Sequence, residues 1–240
     1  MMAQGESLGV LHLQRGLPSQ KRPEGAREFA KDQRPLAVTL AEHIALALAN
    51  LRLREALRRE SIRDPLTTLF NRRYMEESLE RELRRADRKQ RPLGMIMLDL
   101  DRFKHFNDSF GHEAGDMLLR KLGGFLLSRT RREDIVCRYG GEEFTIILPE
   151  ASLEVARQRA EQLRQEVKQL TIQYRGQTLG AHTLSLGVAG FPEHSATGEA
   201  LLRVADLALY QAKREGRDRV VVGQPIEEDT GVPAATDSKK

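Results

Sequence analysis

Two apolar runs separated by a pair of glycines constrain the fold of this chain more than any other stretch. The segment IVCRYGGEEFTIIL, residues 135–148, places Gly140 and Gly141 between two runs of strand-forming residues. Glycine tolerates the positive φ angles that a tight turn between twisted strands requires, so the pattern predicts an antiparallel hairpin over residues 134–149. A sheet that contains such a hairpin is not purely parallel.

Strand-like and helix-like segments alternate through much of the remaining chain. Runs of buried-strand type occupy residues 93–101, 181–191 and 219–223. Apolar residues at three- and four-residue spacing predict helices over 72–88, 114–130, 153–170 and 198–216. With the hairpin added, the sequence predicts an α+β fold, in which helices flank a central mixed, largely antiparallel sheet.

Composition excludes several classes of protein. The chain has 240 residues, which is enough for one good core and a smaller element. It has no apolar run long enough to span a bilayer and does not open with a secretory signal, so we expect no membrane partner. Cys137 is the only cysteine, which fits a reducing, cytoplasmic location. The net charge of +4 suits an anionic partner without choosing one.

Three acidic residues stand where apolar strands end. Asp99 closes the run MIML, and Glu142 and Glu143 follow the two glycines directly. A single aspartate at this place can simply cap a turn, and the glycines are explained by the turn alone. The turn does not explain the adjacent glutamates, because two neighbouring negative charges repel each other. If the two strands are neighbours, the three acids converge, and a hard cation such as Mg²⁺ with phosphate ligands is the expected partner.

Several motifs resemble those of one family. The stretch RYGGEEF is similar to the signature of the GGDEF diguanylate cyclases, in its GGEEF variant. The family's other blocks are matched in order and spacing by DPLTTLFNRR (64–73), LDLDRFKHFNDSFGHEAGD (98–116), LSLGVAGFP (184–192) and ADLALYQAKREGRDRV (205–220). Thr68 departs from the pattern, since the family usually has glycine there. The resemblance implies a nucleotidyl-cyclase-like palm domain.

The resemblance implies a reaction and a metal site. Such enzymes join two GTP molecules into cyclic di-GMP and release two pyrophosphates, with one GTP held by each of two facing domains. The residues that match the metal site are Asp99, Glu142 and the backbone carbonyl of Leu100, and the expected ion is Mg²⁺, with Mn²⁺ as an alternative. Glu143 would be either the general base or a further metal ligand.

Other matched residues imply contacts with the nucleotide. Lys104, the backbone near Phe103 and Gly141, and the cations Lys213 and Arg217 would meet the phosphates. Asn107 and Asp116 would read the base, because a carboxylate accepts from both N1–H and N2–H of guanine. Taken alone, each of these residues is also explained as a solvated cation, a helix cap or a first-turn acid.

A second site is implied by RRED, residues 131–134, which five residues separate from Gly140. It matches the family's RxxD motif, where product binds and inhibits. Arg131 can donate a bidentate pair to guanine or to phosphate, and Asp134 can accept from the opposite edge of a guanine. Arg157 or Arg164 on the next helix is a candidate for a further contact. A charged loop is the simpler explanation of the motif alone.

The N-terminal part predicts a different element. GESLGVLHLQ and the long helix from Leu36 resemble the last strand and helix of a GAF sensory domain, of which only the end is present. We therefore expect a truncated remnant over 1–35, a signalling helix over 36–60, the cyclase domain over 61–223 and a disordered tail over 224–240. The helix pattern fits both packing on its own domain and pairing with a second copy in a homodimer.

Two other functions compete with the cyclase. A non-catalytic receptor of GTP or cyclic di-GMP is one, although the presence of Asp99, Lys104, Glu142 and Glu143 argues against a decayed site. A nucleic-acid-binding module is the other, suggested by the Arg-rich stretches. Such modules usually add stacking aromatics, and aromatic residues make up only 5% of this chain. We expect no nucleic-acid partner.

Overall fold

The chain divides into two units, Met1–Ser61 and Ile62–Lys240. The computed structural model describes residues 2–3, 6–7, 34–180 and 182–225. In the first unit, strand β1 (Met2–Ala3) pairs antiparallel with β2 (Glu6–Ser7), and helix α1 runs from Arg34 to Ile62. Most of the predicted remnant strand and loop, and the tail from 226 onward, lie outside the described residues.

Helix α1 carries apolar side chains that remain exposed. The predicted start at Leu36 is two residues late, because the helix begins at Arg34. Only Ala45 is fully buried among its described apolar residues, whereas leucines along its length are about half exposed or more: Leu36, Leu40, Leu46 and Leu51. An exposed apolar surface of this kind is available for pairing with another helix.

The second unit contains eight strands and five helices among its described residues. In chain order they are β3 (Phe70–Asn71), α2 (Arg72–Lys89), β4 (Leu93–Leu100), α3 (Phe103–Phe110), α4 (His112–Ser128), β5 (Ile135–Gly140), β6 (Glu143–Pro149), α5 (Leu153–Glu166), β7 (Ile172–Tyr174), β8 (Gln177–Leu179), β9 (Leu184–Phe191), α6 (Gly198–Arg214) and β10 (Val220–Val222). A 3₁₀ turn, Val167–Gln169, extends α5.

Six strands form the central sheet in the order β10-β9-β4-β6-β5-β3. The outer pairs β10–β9 and β3–β5 are parallel, and the inner pairs are antiparallel. The mixed sheet flanked by helices is therefore confirmed. Strand β4 lies at its centre and is buried along its whole length, which explains its unbroken apolar sequence.

The two faces of β4 belong to two different cores, because successive side chains on a strand point to opposite faces. Ile96 and Leu98 pack in a core with apolar residues of α4 and α5. Met95 and Met97 pack in the other with α2 and α6. Helices thus cover both faces of the sheet, whereas the ends of the strands are not covered by these two cores.

Helix α6 lies very close to strand β9. A Cβ atom at Gly187 would collide with the Ala205 carbonyl and the Leu209 amide of α6. The absence of a side chain therefore lets the helix backbone approach the strand.

Of the described helices, none is long and apolar enough to cross a membrane.

Three features of this unit were not predicted. Helix α3 has only eight residues, β3 has two, and β7 and β8 form a separate two-stranded hairpin. Elements this short carry too few residues for a periodic pattern.

Candidate active site

The ends of β4 and β6 bring two acids together. Asp99 is opposite Glu143 in the antiparallel register, and the Leu100 amide donates to the Glu142 carbonyl at 3.3 Å. Glu142 itself lies in the turn and is half-buried. The predicted proximity of the acids thus follows from the strand register. Among the described residues, however, no group of three or more acid, histidine or cysteine side chains is arranged to hold a metal ion.

Lys213, in the last turn of α6, lies between the acids. Its Nζ atom is 2.8 Å from Oδ2 of Asp99 and 3.9 Å from Oε1 of Glu143. The acids at this end of the sheet are thus joined by a lysine that contacts both Asp99 and Glu143. From the sequence, Lys213 was expected to contact the phosphates, and its contact with Asp99 was not predicted.

Burial dominates the electrostatics of Asp99. The residue is 6% exposed, and burial raises the pKa of its carboxyl to about 6, with further upward contributions from Glu142 and Glu143. The hydrogen bond and charge of Lys213 act in the opposite direction without cancelling the effect. The carboxylate oxygens at this end of the sheet are donors that suit a hard divalent cation.

The glycine turn is fixed by an arginine that the sequence did not single out. Gly141 has a φ of +33°, and its carbonyl accepts from Arg138 Nε at 3.0 Å and Nη2 at 2.8 Å. Nη1 of Arg138 reaches both carboxylate oxygens of Asp64, at 3.2 and 3.1 Å. Asp64 also accepts from the amide and hydroxyl of Thr67, each at 2.7 Å. This chain of contacts connects the first residues of the unit with the turn.

Helix α3 begins directly after the acid site. Arg102 precedes it with a φ of +56°, and no side-chain hydrogen bond caps this end in the part of the chain that the structure describes. Phe103 is buried and Lys104 is exposed in the first turn. The free amides of a helix start, with an adjacent lysine, suit an anion.

Asn107 faces the start of α4. Its Oδ1 atom is buried and has no partner among the described residues. A Cβ atom at Gly115 would collide with that oxygen, so the glycine provides its space. Asp116 follows on α4 and is exposed. Asn107 and Asp116 are thus held on two helices that contact each other, α3 and α4.

Arg217 lies just beyond α6, in a turn where its φ is +64°. Unlike Lys213, its exposed guanidinium has no hydrogen-bond or ion-pair partner within the described ranges. It is available to an anionic ligand.

The RRED segment has an unexpected partner. Asp134 is 9% exposed, and its Oδ2 accepts from the Arg131 amide at 2.7 Å and from Arg159 Nη1 at 2.6 Å. The Arg131 side chain is exposed. Neither of the arginines suggested by sequence contacts Asp134 here: Arg157 pairs with Glu154, and Arg164 pairs with Glu161 and Asp218. Helical spacing on α5 does not reveal which arginine faces another element.

Comparisons with known proteins agree on one family. Residues 61–219 match the family model described as diguanylate cyclase, GGDEF domain. The chain is 44% identical over 168 residues to diguanylate cyclase DgcP of Pseudomonas aeruginosa, covering 70% of the chain and 25% of DgcP. It is 41% identical over 166 residues to diguanylate cyclase DosC of Escherichia coli, covering 69% of the chain and 36% of DosC. The chain thus spans about a quarter of the length of DgcP and about a third of the length of DosC.

A solved structure gives the same result. The coiled coil and GGDEF domain of DgcB from Caulobacter crescentus, in complex with c-di-GMP, matches with a TM-score of 0.73 at 33% identity. The match covers 79% of this chain and 100% of the DgcB chain.

Proposed function

This chain belongs to the GGDEF diguanylate cyclase family, and on that premise we propose that it condenses two GTP molecules into cyclic di-GMP. The observation that carries the proposal is the site at the end of β4, where Asp99, Glu143 and Lys213 lie together beside the glycine turn. Each bond formed joins a 3′-oxygen to an α-phosphorus and releases one pyrophosphate. Two such steps give one product and two pyrophosphates.

The donor set fits a divalent cation. The Asp99 and Glu142 carboxylates and the Leu100 carbonyl are hard oxygen ligands of the kind that such an ion prefers. When bound, Mg²⁺ or Mn²⁺ would neutralise phosphate charge and lower the pKa of the attacking hydroxyl. Lys213, whose Nζ now contacts Asp99, would then be free to contact the phosphates.

Glu143 is the catalytic carboxylate of the proposal. It lies opposite Asp99 in the register and contacts the lysine only at 3.9 Å. Its oxygens are therefore available to accept the proton of the 3′-hydroxyl as the new bond forms. Lys104, the amides near Phe103 and Gly141, and Arg217 hold the phosphates in this scheme and offset the charge of the transition state.

Asn107 on α3 and Asp116 on α4 select the base in this scheme. The unpartnered Oδ1 of Asn107 can accept an N–H of guanine, and Asp116 can accept two. Adenine presents an acceptor at N1 and would leave the carboxylate unpaired, at a cost of about 1–3 kcal/mol.

We propose a homodimer, because one domain holds one GTP and supplies half of the site. The exposed leucines of α1 are the surface that we assign to pairing. DgcB was crystallised as a coiled coil with its GGDEF domain, which is consistent with this role of the helix. We further propose that product inhibits through Arg131 and Asp134, the latter held by Arg159.

The test is a direct assay. Purified protein, freed of bound nucleotide, is incubated with GTP and Mg²⁺ at concentrations that favour dimers, and the nucleotides are separated. We expect cyclic di-GMP and pyrophosphate from the wild type, loss of product in Glu143→Gln, and normal turnover in the surface control Glu154→Gln. Binding of GTP without any product would instead support a receptor.

A further inference from the structure

The turn that carries Arg217 has an unfavourable backbone. Arg217 and Asp218 are consecutive non-glycine residues with φ angles of +64° and +46°. Gly216, with a φ of +114°, ends α6, and the Arg217 amide donates to the Ala212 carbonyl at 3.0 Å, as in a Schellman motif. That motif accounts for the glycine. It does not account for two further left-handed residues, which persist only where other contacts hold them.

The contacts that hold this turn converge on Asp218. Its carboxylate oxygens accept from Arg164 Nη1 at 2.6 Å and from Lys168 Nζ at 2.8 Å. Arg164 also donates to the Asp218 carbonyl at 3.1 Å. Burial raises the pKa of Asp218, but the bonds from Lys168 and Arg164 outweigh it and leave that pKa lowered. The carboxylate is thus an ionised anchor that binds two cations of α5 and its 3₁₀ extension.

The backbone of Asp218 is fixed from the other side. Its amide donates to Oδ2 of Asp101 at 3.1 Å, and Asp101 also accepts from the hydroxyls of Thr183 and Ser185, each at 2.7 Å. Asp101 comes two residues after Asp99 in the loop that follows β4. The turn is therefore tied both to α5 and to the loop at the acid site.

Arg217 itself takes no part in this network. Within the described residues its guanidinium is exposed and unpaired, while the carboxylate of the next residue, Asp218, binds two cations. The Arg217 carbonyl accepts from Arg219 Nε at 3.3 Å. A cation on a restrained backbone loses less conformational freedom on binding an anion than the same cation on a mobile turn, because only its side chain has to be ordered.

We infer that Asp218 is a positioning residue: held by Arg164 and Lys168, it fixes the turn from which Arg217 reaches the triphosphate of the substrate. This inference rests on the proposed function. Under this inference, Asp218, Arg164 and Lys168 affect the affinity for the nucleotide without having to touch it.

A double-mutant cycle tests this inference. Binding of 3′-deoxy-GTP, which cannot cyclise, is measured by calorimetry in Mg²⁺ for the wild type, Arg217→Ala, Asp218→Ala and the double variant. We expect each single variant to bind about tenfold more weakly. Because Asp218 acts through Arg217, the double variant should be less than twofold weaker than Arg217→Ala. With GTP, Asp218→Ala should raise KM and leave kcat within about twofold.

Two further variants separate positioning from folding. Asp218→Asn keeps an acceptor and the size of the side chain, so it should recover part of the affinity. Glu154→Ala, which removes an exposed acid of α5 that pairs with Arg157, should bind like the wild type. Normal binding in Asp218→Ala, or a defect that multiplies in the double variant, would overturn the inference alone. A wild type that binds no 3′-deoxy-GTP would overturn the proposed function and the inference with it.

Discussion

The Nζ atom of Lys213 lies 2.8 Å from Oδ2 of Asp99, so a cation from the end of α6 meets the carboxylate that ends the central strand. Asp99 is nearly excluded from water, since the residue is only 6% exposed. Even so, burial and two neighbouring acids raise the pKa of Asp99 to about 6. This imbalance gives the metal-free protein a measurable dependence on pH.

The contribution of Asp99 to the stability of the metal-free protein should fall as pH rises from 4 to 7. The folded pKa of Asp99, about 6, exceeds the unfolded value of about 3.9, so the folded state binds more protons between them. The contribution is fully present below pH 4 and falls by about 3 kcal/mol as pH passes 6. The free energies of unfolding of the wild type and of Asp99→Asn, measured with urea in EDTA at each pH, isolate the contribution of Asp99. Parallel pH profiles for both proteins would contradict the prediction.

Breaking the contact between Arg138 and Asp64 should destabilise the domain and loosen the glycine turn. The two side chains are 16% and 17% exposed, so either single alanine variant leaves a mostly buried charge unpaired and costs about 2–3 kcal/mol. In Arg138→Ala, cyclic di-GMP synthesis should fall even where the protein stays folded, because the Gly141 carbonyl loses both donors.

The matched control is Arg73→Ala, which breaks a pair whose side chains are 77% and 60% exposed. It should change the free energy of unfolding by less than about 0.5 kcal/mol. Urea melts of Asp64→Ala, Arg138→Ala and the double variant measure the coupling, and strictly additive losses would show that the two residues do not act together.

Product inhibition should depend on Arg159. Without its bond to the buried Asp134, that carboxylate loses its position for a guanine, so Arg159→Ala should raise the half-inhibitory concentration of cyclic di-GMP about tenfold. The control is Arg157→Ala, on the same helix but paired with exposed Glu154. Equal inhibition of both variants in initial-rate assays would remove Arg159 from the inhibitory site.

Replacing Thr68 with glycine should stabilise the protein by about 0.5–1 kcal/mol. Thr68 is exposed and β-branched, yet its φ is +62°, a region that glycine adopts without steric cost. The gain is limited because glycine also increases the entropy of the unfolded chain. Thr68→Ala keeps a Cβ atom and should gain less. Chemical denaturation compares the three proteins, and a Thr68→Gly variant no more stable than Thr68→Ala would refute strain at this turn.

Local patterns predicted the parts of the fold that depend on neighbouring residues. The Gly140–Gly141 turn and the unbroken apolar run of β4 were sufficient for the hairpin and the central strand, because turn chemistry and burial act over a few positions. The departure at Thr68 likewise marked a turn, and its left-handed φ agrees with the glycine that the family usually has there.

Contacts between distant segments could not be predicted in the same way. Arg138 and Asp64 are separated by 74 positions, and Arg159 and Asp134 by 25, so only the folded chain selects these partners. On α5, three arginines have the same chemistry, and the packing of the helix decides which one reaches Asp134. The position of Lys213 between two acids also depends on how α6 lies on the sheet.

The close approach of α6 to β9 at Gly187 has a consequence for mutational surveys. Lys213 and Arg217 stand at and beyond the far end of the same helix, so their distance from the strand ends is set partly by the missing side chain at Gly187. An alanine there would push the helix outward and carry both cations with it. A screen that scores loss of activity would therefore rank this position with the ligand-binding residues, although it has no functional group at all.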